Sequence, residues 1–355
     1  MAGTIDEARL GEFMGLMAGY MTGGALCFAV RLGDELGLYR ALAGAGPLTA
    51  DALADATGCN RRLVREWLDG QAAGGLIGYD PAADAYELSA EGAAALADDA
   101  SPAFVARGMN ALASVVLDQD KVAAAFRGDG ALGWADHHPC LFSGTEWFFR
   151  TGYRAYLPTG WLPALDGVEA KLRAGGTVAD IGCGHGASAV VIAQAYPDAR
   201  VRGFDNHPPS IEIARKRATE AGVADRATFE VTDAKSYPGR YDLICFFDCL
   251  HDMGDPAGIV RYARDHLHPD GTVLLVEPFA LDDKAANLAA NPMAALFYTA
   301  SSAICTPNSL SQDVGLGLGA QAGETRLRQL FKQAGFSQFR RAAETPVNLI
   351  LEARP

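Results

Sequence analysis

The chain has 355 residues, 49% hydrophobic and 21% charged, with a net charge of −13. That length and apolar content give a sizeable core in about two domains and exclude a disordered chain. A surface this acidic repels phosphate backbones and anionic lipid, which argues against nucleic acid or a membrane as the main partner.

The first ten residues, MAGTIDEARL, lack the basic region of a signal peptide. Residues 13–30 follow without a charge, a marginal length for a membrane span. Glycines and polar residues interrupt that run, and no basic cluster flanks it. Gly15, Gly19 and Gly23 fall four apart, so they share a helix face that another helix can approach closely. The expectation is a buried helix at a subunit interface, not a membrane helix. The seven cysteines are scattered and form no CxxC pair, so reduced thiols in a cytoplasmic protein are expected, with neither disulfides nor a zinc site.

LTADALADATG, residues 48–58, predicts a short helix with Leu53 and Ala54 on its inner face, ended by Gly58. Asn60 can cap the next helix, in which Leu63, Trp67 and Leu68 fall at helical spacing. IGYDPAADAYELSAEG then alternates around a turn, as a hairpin does. Helix, helix, hairpin is a winged-helix pattern. From Gly46 to Asp80, however, Arg61, Arg62 and Arg65 face five acids. A DNA-reading helix sits in a basic field, so a structural or dimerisation role is expected. Residues 101–170 are read as helical, with Trp134, Trp147, Phe148, Phe149, Tyr153, Tyr156 and Trp161 supplying core and some pocket lining.

From Gly176 the pattern alternates strand and helix, which means a parallel sheet covered on both faces. Its strands are TVADIGC, VRGFD, ATFEVTD, YDLICFFD and GTVLLVEP. The chain then ends with a helix and two strands, SQFRRAA and VNLILEAR, joined by a few residues and so antiparallel. The sheet is expected to end with one reversed strand.

VADIGCGHGASAV, residues 178–190, runs from strand through Gly182, Cys183, Gly184 and Gly186 into a helix. Glycines permit close backbone approach to a ligand, and the helix start favours an anion. The loop alone is a weak signal, but its company is specific. Asp205, next to Asn206, ends the second strand, where a carboxylate can accept two ribose hydroxyls. Asp233, next to Ala234, ends the third and can receive an adenine amino group. Asp180 lies beneath the loop, placed for an ammonium directly or through water. Ribose, adenine, ammonium and carboxylate together describe S-adenosylmethionine.

This layout resembles the class I S-adenosylmethionine-dependent methyltransferases. With its winged helix it resembles the small-molecule O-methyltransferases of plant phenolic and bacterial polyketide pathways. The resemblance implies an α/β fold: a Rossmann-like methyltransferase sheet with a reversed last strand, behind a mainly helical winged-helix domain. Expected divisions are residues 1–100 for dimerisation and the winged helix, 101–175 for a helical connector, and 176–355 for the cofactor domain. It also implies a homodimer, a small aromatic acceptor, S-adenosylhomocysteine as product, and no metal.

In that family the loop after the fourth strand carries a pattern like LHxWxD. Here it reads Leu250, His251, Asp252, Met253, Gly254, Asp255. The resemblance places His251 as general base, with Asp252, Glu277 and Glu324 as the acids beside it. Phe247 and Asp248 are expected on the cofactor edge, with Met253 replacing the family's tryptophan against the adenine. The insertion 282–323 is expected to cover the acceptor, with Met293, Phe297 and Tyr298 as pocket candidates. Two other readings stay open: a metabolite-binding regulator that uses the winged helix on DNA, and a relative that employs the cofactor for another reaction.

Overall fold

The computed structural model describes residues 5–355. Residues 1–4, the start of the stretch read for a signal peptide, lie outside the described residues. The chain forms two compact units, residues 1–113 and 114–355.

The first unit opens with α1 (Glu7–Glu35), capped by the Asp6 carboxylate, which accepts from the amides of Ala8 and Arg9. Its length and composition would suffice to cross a bilayer, a test that helices of soluble proteins also pass. The expected burial is not found within the chain. Only Val30 and Gly33 are buried, while Phe13, Met14, Tyr20, Met21 and Phe28 are exposed. Gly15, Gly19 and Gly23 have open space where a Cβ would stand. Among the described residues the glycine face therefore has no partner helix.

After α2 (Leu38–Leu42) comes the winged unit: α3 (Ala50–Thr57), α4 (Arg61–Ala73), β1 (Gly78–Asp80), β2 (Ala85–Glu87) and α5 (Ala90–Leu96). Gly58 ends α3 in the left-handed region at φ 68°, where a Cβ would be strained. Asn60 caps α4 as expected, accepting from Arg62 and Leu63. Val64, Trp67, Leu68 and Gln71 face inward, but Leu63 is 69% exposed. It sits roughly a quarter-turn off the centre of that stripe, which corrects its expected inner place. β1 and β2 pair antiparallel, with Tyr79 opposite Tyr86.

Then follow α6 (Met109–Leu117), α7 (Gln119–Arg127), α8 (Cys140–Tyr156) and α9 (Val168–Arg173). The sheet domain runs β3 (Thr177–Ile181), α10 (Ala187–Ala195), β4 (Arg200–Asp205), α11 (Pro208–Glu220), β5 (Ala227–Val231), β6 (Tyr241–Phe247), α12 (Pro256–Asp265) and β7 (Leu267–Pro278). The insertion forms α13 (Lys284–Ala290), α14 (Ala294–Ala300) and α15 (Thr306–Leu310), and the chain ends with α16 (Gly323–Gln333), β8 (Gln338–Glu344) and β9 (Asn348–Arg354).

The seven strands lie in the order β5-β4-β3-β6-β7-β9-β8. Pairings from β5 to β7 are parallel, and β9 is antiparallel to both β7 and β8. The last strand of the chain is thus the reversed one, but it is inserted between β7 and β8 and does not form the edge. Successive side chains of a strand point to opposite faces. Accordingly Leu243, Cys245 and Phe247 enter one apolar cluster, while Ile244 and Phe246 enter the other. Polar side chains collect at the carboxyl ends of the strands. The chain order reverses between β3 and β6, which is where open α/β sheets bind ligands.

Candidate active site

At that switch point the glycine loop leaves β3. Gly182, Gly184 and Gly186 all take positive φ, between 50° and 74°, a conformation that costs an L side chain roughly 1–2 kcal/mol. A Cβ on Gly186 would also stand 2.7 Å from the Phe229 ring and 2.9 Å from Ala214. Gly186→Ala is therefore expected to lower stability by about 2 kcal/mol or more, measurable by urea denaturation. An unchanged midpoint would mean that the loop relaxes.

The loop borders a cavity of about 500 Å³, within the range of small-molecule sites. Gly182, Cys183, Gly184, Asp205, Asn206, Asp233, Ala234, Phe247, Asp248 and Met253 all line it. Asp205 is half-buried, and its oxygens accept from the Gly184 amide at 2.9 Å and the His207 amide at 2.9 Å. Burial raises its pKa, and those amides oppose the rise. Asp233 accepts from the Lys235 amide at 2.8 Å. Asp180 is fully buried beneath the loop and does not line the cavity. One of its oxygens accepts from the Ser188 hydroxyl at 2.6 Å, and the other has no partner. Burial pushes its pKa up to about 7, the Ser188 bond opposes this, and Asp205 adds to it.

The fourth-strand loop supplies the other wall. Asp248 takes φ 51° and points into a buried network. One oxygen accepts from the Asn348 amide group at 2.6 Å, and the other has no partner. Burial, then the charge of Glu277, pushes this carboxyl well above the usual range. His251 is 3% exposed, on a 3-10 turn, Leu250–Asp252. Its Nδ1 bonds the Glu277 carboxylate from the end of β7, and its Nε2 lies 2.9 Å from Asp252 Oδ1. Burial works against a charged imidazole, but Asp252 and Glu277 outweigh it and hold the pKa well above the ordinary value. With Glu277 on one ring nitrogen, Asp252 lies against the other, the one a base must use.

Glu324 is not brought to His251. It is ion-paired with Arg328 and, at 2.7 Å, with Arg341, and two guanidinium groups at close range leave no carboxylate free for an imidazole. Met293, Phe297 and Tyr298 do not line the cavity. Met293 starts α14, Phe297 is buried, and Tyr298 borders a separate, more open cavity. Strand and helix lengths set where the insertion lies, and apolar content did not reveal it.

Other lining residues were missed or left undecided. Trp134, Phe149 and Tyr153 come from the aromatic run, and Phe142 and Glu146 join them from α8. Trp134 and Phe142 pack at 5.5 Å, and Phe142 lies 4.6 Å from the His207 ring. Asn308, Gln312 and Asp313 close the side nearest Met253. Asn308 and Gln312 both donate to the Asp252 carbonyl, so this wall is tied to the His251 turn. Only the aromatic run had a signal in the sequence.

Residues 172–335 match a family described as a methyltransferase domain, and residues 24–98 match the Rv2258c-like winged HTH domain. A 27-O-demethylrifamycin SV methyltransferase from Amycolatopsis mediterranei is 37% identical over 107 residues, 29% of this chain and 39% of that protein. The chain spans less than half the length of the curated relatives it matches. Among solved structures, mitomycin 7-O-methyltransferase superposes with a TM-score of 0.68 at 22% identity, over 99% of this chain and 100% of that one. Human N-acetylserotonin methyltransferase, in complex with S-adenosylmethionine, does so with a TM-score of 0.68 at 21% identity, over 100% and 99%. At such identities the structural likeness establishes the fold. The chain therefore carries a methyltransferase domain behind an N-terminal winged helix-turn-helix domain.

Proposed function

We propose that this protein methylates an oxygen of a small aromatic molecule, using S-adenosylmethionine, with His251 as general base. The observation that carries this reading is the buried His251–Glu277 pair, which does not itself line the cavity but meets it through Asp252, on a wall shared with the glycine loop, Asp205 and Asp233. The residues fit the cofactor. Asp205 and Asp233 end adjacent strands where ribose hydroxyls and an adenine amine need acceptors, and the partnerless Asp180 oxygen lies beneath the loop. When bound, S-adenosylmethionine supplies a methyl group on a sulfonium, already activated for in-line transfer.

The chain's own residues then align the acceptor and take its proton. Glu277 fixes the imidazole through Nδ1 and stabilises its protonated form. The resting ring first gives its Nε2 proton to Asp252 or to water, and as Asp252 leaves Nε2 the acceptor hydroxyl takes its place against the neutral imidazole. Trp134, Phe142, Phe149 and Tyr153 supply an apolar wall suited to a flat ring. The O-methyltransferase activities named for the rifamycin relative and the mitomycin neighbour support oxygen as acceptor.

Incubation with S-adenosylmethionine and pooled phenols, catechols, indoles and quinones tests the reading. Mass spectrometry should find S-adenosylhomocysteine and a product heavier by one methyl group, located on oxygen. Methyl on carbon or nitrogen would refute O-methylation, and no turnover on any acceptor class would refute the enzyme. Asp180 gives a second test. A cation above the loop would draw its proton off. Cofactor affinity should fall below pH 7, by up to about tenfold per unit, and Asp180→Asn should remove that dependence. Calorimetry in buffers of different ionisation enthalpy would read the released proton.

We also infer a cytoplasmic homodimer, supported by the exposed apolar face of α1. Sedimentation equilibrium would show a single chain if this is wrong. The winged helix is read as a structural element without nucleic acid as a partner. Arg61, Arg62 and Arg65 are already paired with Asp51, Asp55, Glu66 and Asp84, which leaves α4 little uncompensated positive charge.

A further inference from the structure

His251 and Asp252 meet a third group that is 53 residues further along the chain than Asp252 and has no role in the proposed reaction. Cys305 ends a π-helical turn, Ser301–Cys305, between α14 and α15. One ring nitrogen of His251, one carboxylate oxygen of Asp252 and the Cys305 sulfur lie within 4.8 Å of one another. His251 and Cys305 are buried, and Asp252 is half-buried on the cavity wall. We propose that His251, Asp252 and Cys305 form a binding site for a zinc-class divalent cation, and that the bound ion blocks the base.

Three observations support a site over a chance cluster. Imidazole, carboxylate and thiolate are the donor set of zinc, and three protein ligands with one open position describe a reactive zinc centre. Tetrahedral zinc with these donors separates its ligand atoms by about 3.3–3.6 Å, so the 2.9 Å Nε2–Oδ1 pair must open slightly and the sulfur, no more than 4.8 Å from either, must close by about 1 Å at most. Second, the other nitrogen of His251 is held by Glu277, and metal-bound histidines nearly always have such a carboxylate or carbonyl partner. Third, Asp252 Oδ1 is a buried oxygen without a hydrogen-bond partner. At 2.9 Å from Nε2 it makes an ion contact but not an aligned hydrogen bond. An ion between these groups would satisfy it. The fourth position would face the cavity that Asp252 borders.

Binding must release protons, since only the neutral imidazole and the thiolate are ligands. The imidazolium gives up one and the Cys305 thiol gives up another, while Asp252 keeps its charge. The ion then occupies Nε2, the atom assigned to take the acceptor's proton. The inhibitory consequence rests on the base assignment above, and the binding does not.

Cobalt(II) is the probe, because a thiolate ligand gives a charge-transfer absorption that oxygen and nitrogen ligands lack. The full chain should show that band, saturating at one ion and displaced by zinc. Cys305→Ser, nearly the same size, should lose the band while still binding S-adenosylhomocysteine. Glu277→Gln should keep the band with affinity weakened about 10–100-fold. No band in the native chain, or an intact band in both Cys305→Ser and Cys305→Ala, would overturn the site. A saturating ion that leaves methyl transfer untouched would keep the site and overturn its inhibitory role. If no acceptor is ever turned over, the cobalt titration still decides the binding.

Discussion

Replacing His251 by alanine is expected to cut methyl transfer by about 10²–10⁴-fold and to leave the affinity for S-adenosylhomocysteine within about twofold. The imidazole meets Asp252, which lines the cavity, through one nitrogen, and its other nitrogen is fixed by Glu277. Its loss removes the proton acceptor without touching the glycine loop or the strand-end acids. A series of phenols separates base from scaffold. Acidic phenols arrive already ionised and should lose little rate in the variant, while weakly acidic ones should lose the full factor. Equal losses across the series would mean that His251 positions the acceptor. Turnover equal to the native enzyme would remove it from the mechanism.

Asp205→Ala is expected to weaken cofactor binding by about 100-fold or more, with far less effect on turnover at saturating cofactor. Two hydrogen bonds to a carboxylate are worth roughly 1.5–3 kcal/mol each, and the first 2.7 kcal/mol gives about 100-fold. The residue has a second task, because its oxygens hold the Gly184 and His207 amides. Part of the loss would come from a looser glycine loop. Asp205→Asn keeps one acceptor oxygen for those amides and should recover part of the affinity. Calorimetric titration with S-adenosylhomocysteine measures both variants. An affinity unchanged in Asp205→Ala would show that the ribose is held elsewhere.

These two residues differ in how they were found. Asp205 was legible from local pattern, since a glycine loop, a helix and a strand of ordinary length fix where the strand ends. His251 was legible through motif resemblance, and its pairing with Glu277 followed from two adjacent parallel strands, β6 and β7. Glu324 failed because its position in a motif carries no information about competitors. Arg328 lies one turn along its own helix and Arg341 on β8, and both reach it. The insertion candidates Met293, Phe297 and Tyr298 were chosen for apolar character, which core and pocket share. The structure lines the cavity instead with residues of α8 and with Asn308, Gln312 and Asp313.

The sequence by itself determined the strand and helix alternation, the reversed final strand, the caps at Asn60 and Gly58, and the row of acids at the strand ends. Each of these depends on periodicity or on backbone geometry over a few neighbouring residues, and such terms are read locally. Tertiary structure alone decided that β9 inserts beside β7, that α1 keeps its apolar face outward, and that Asp252 contacts the free side of His251. It alone brought Asn348 to Asp248 and Cys305 to His251. The last two contacts join side chains 100 and 54 residues apart. Packing of whole elements, not the preference of any residue, sets such distances, so the chemistry at the base became visible only once the sheet and the insertion were in place.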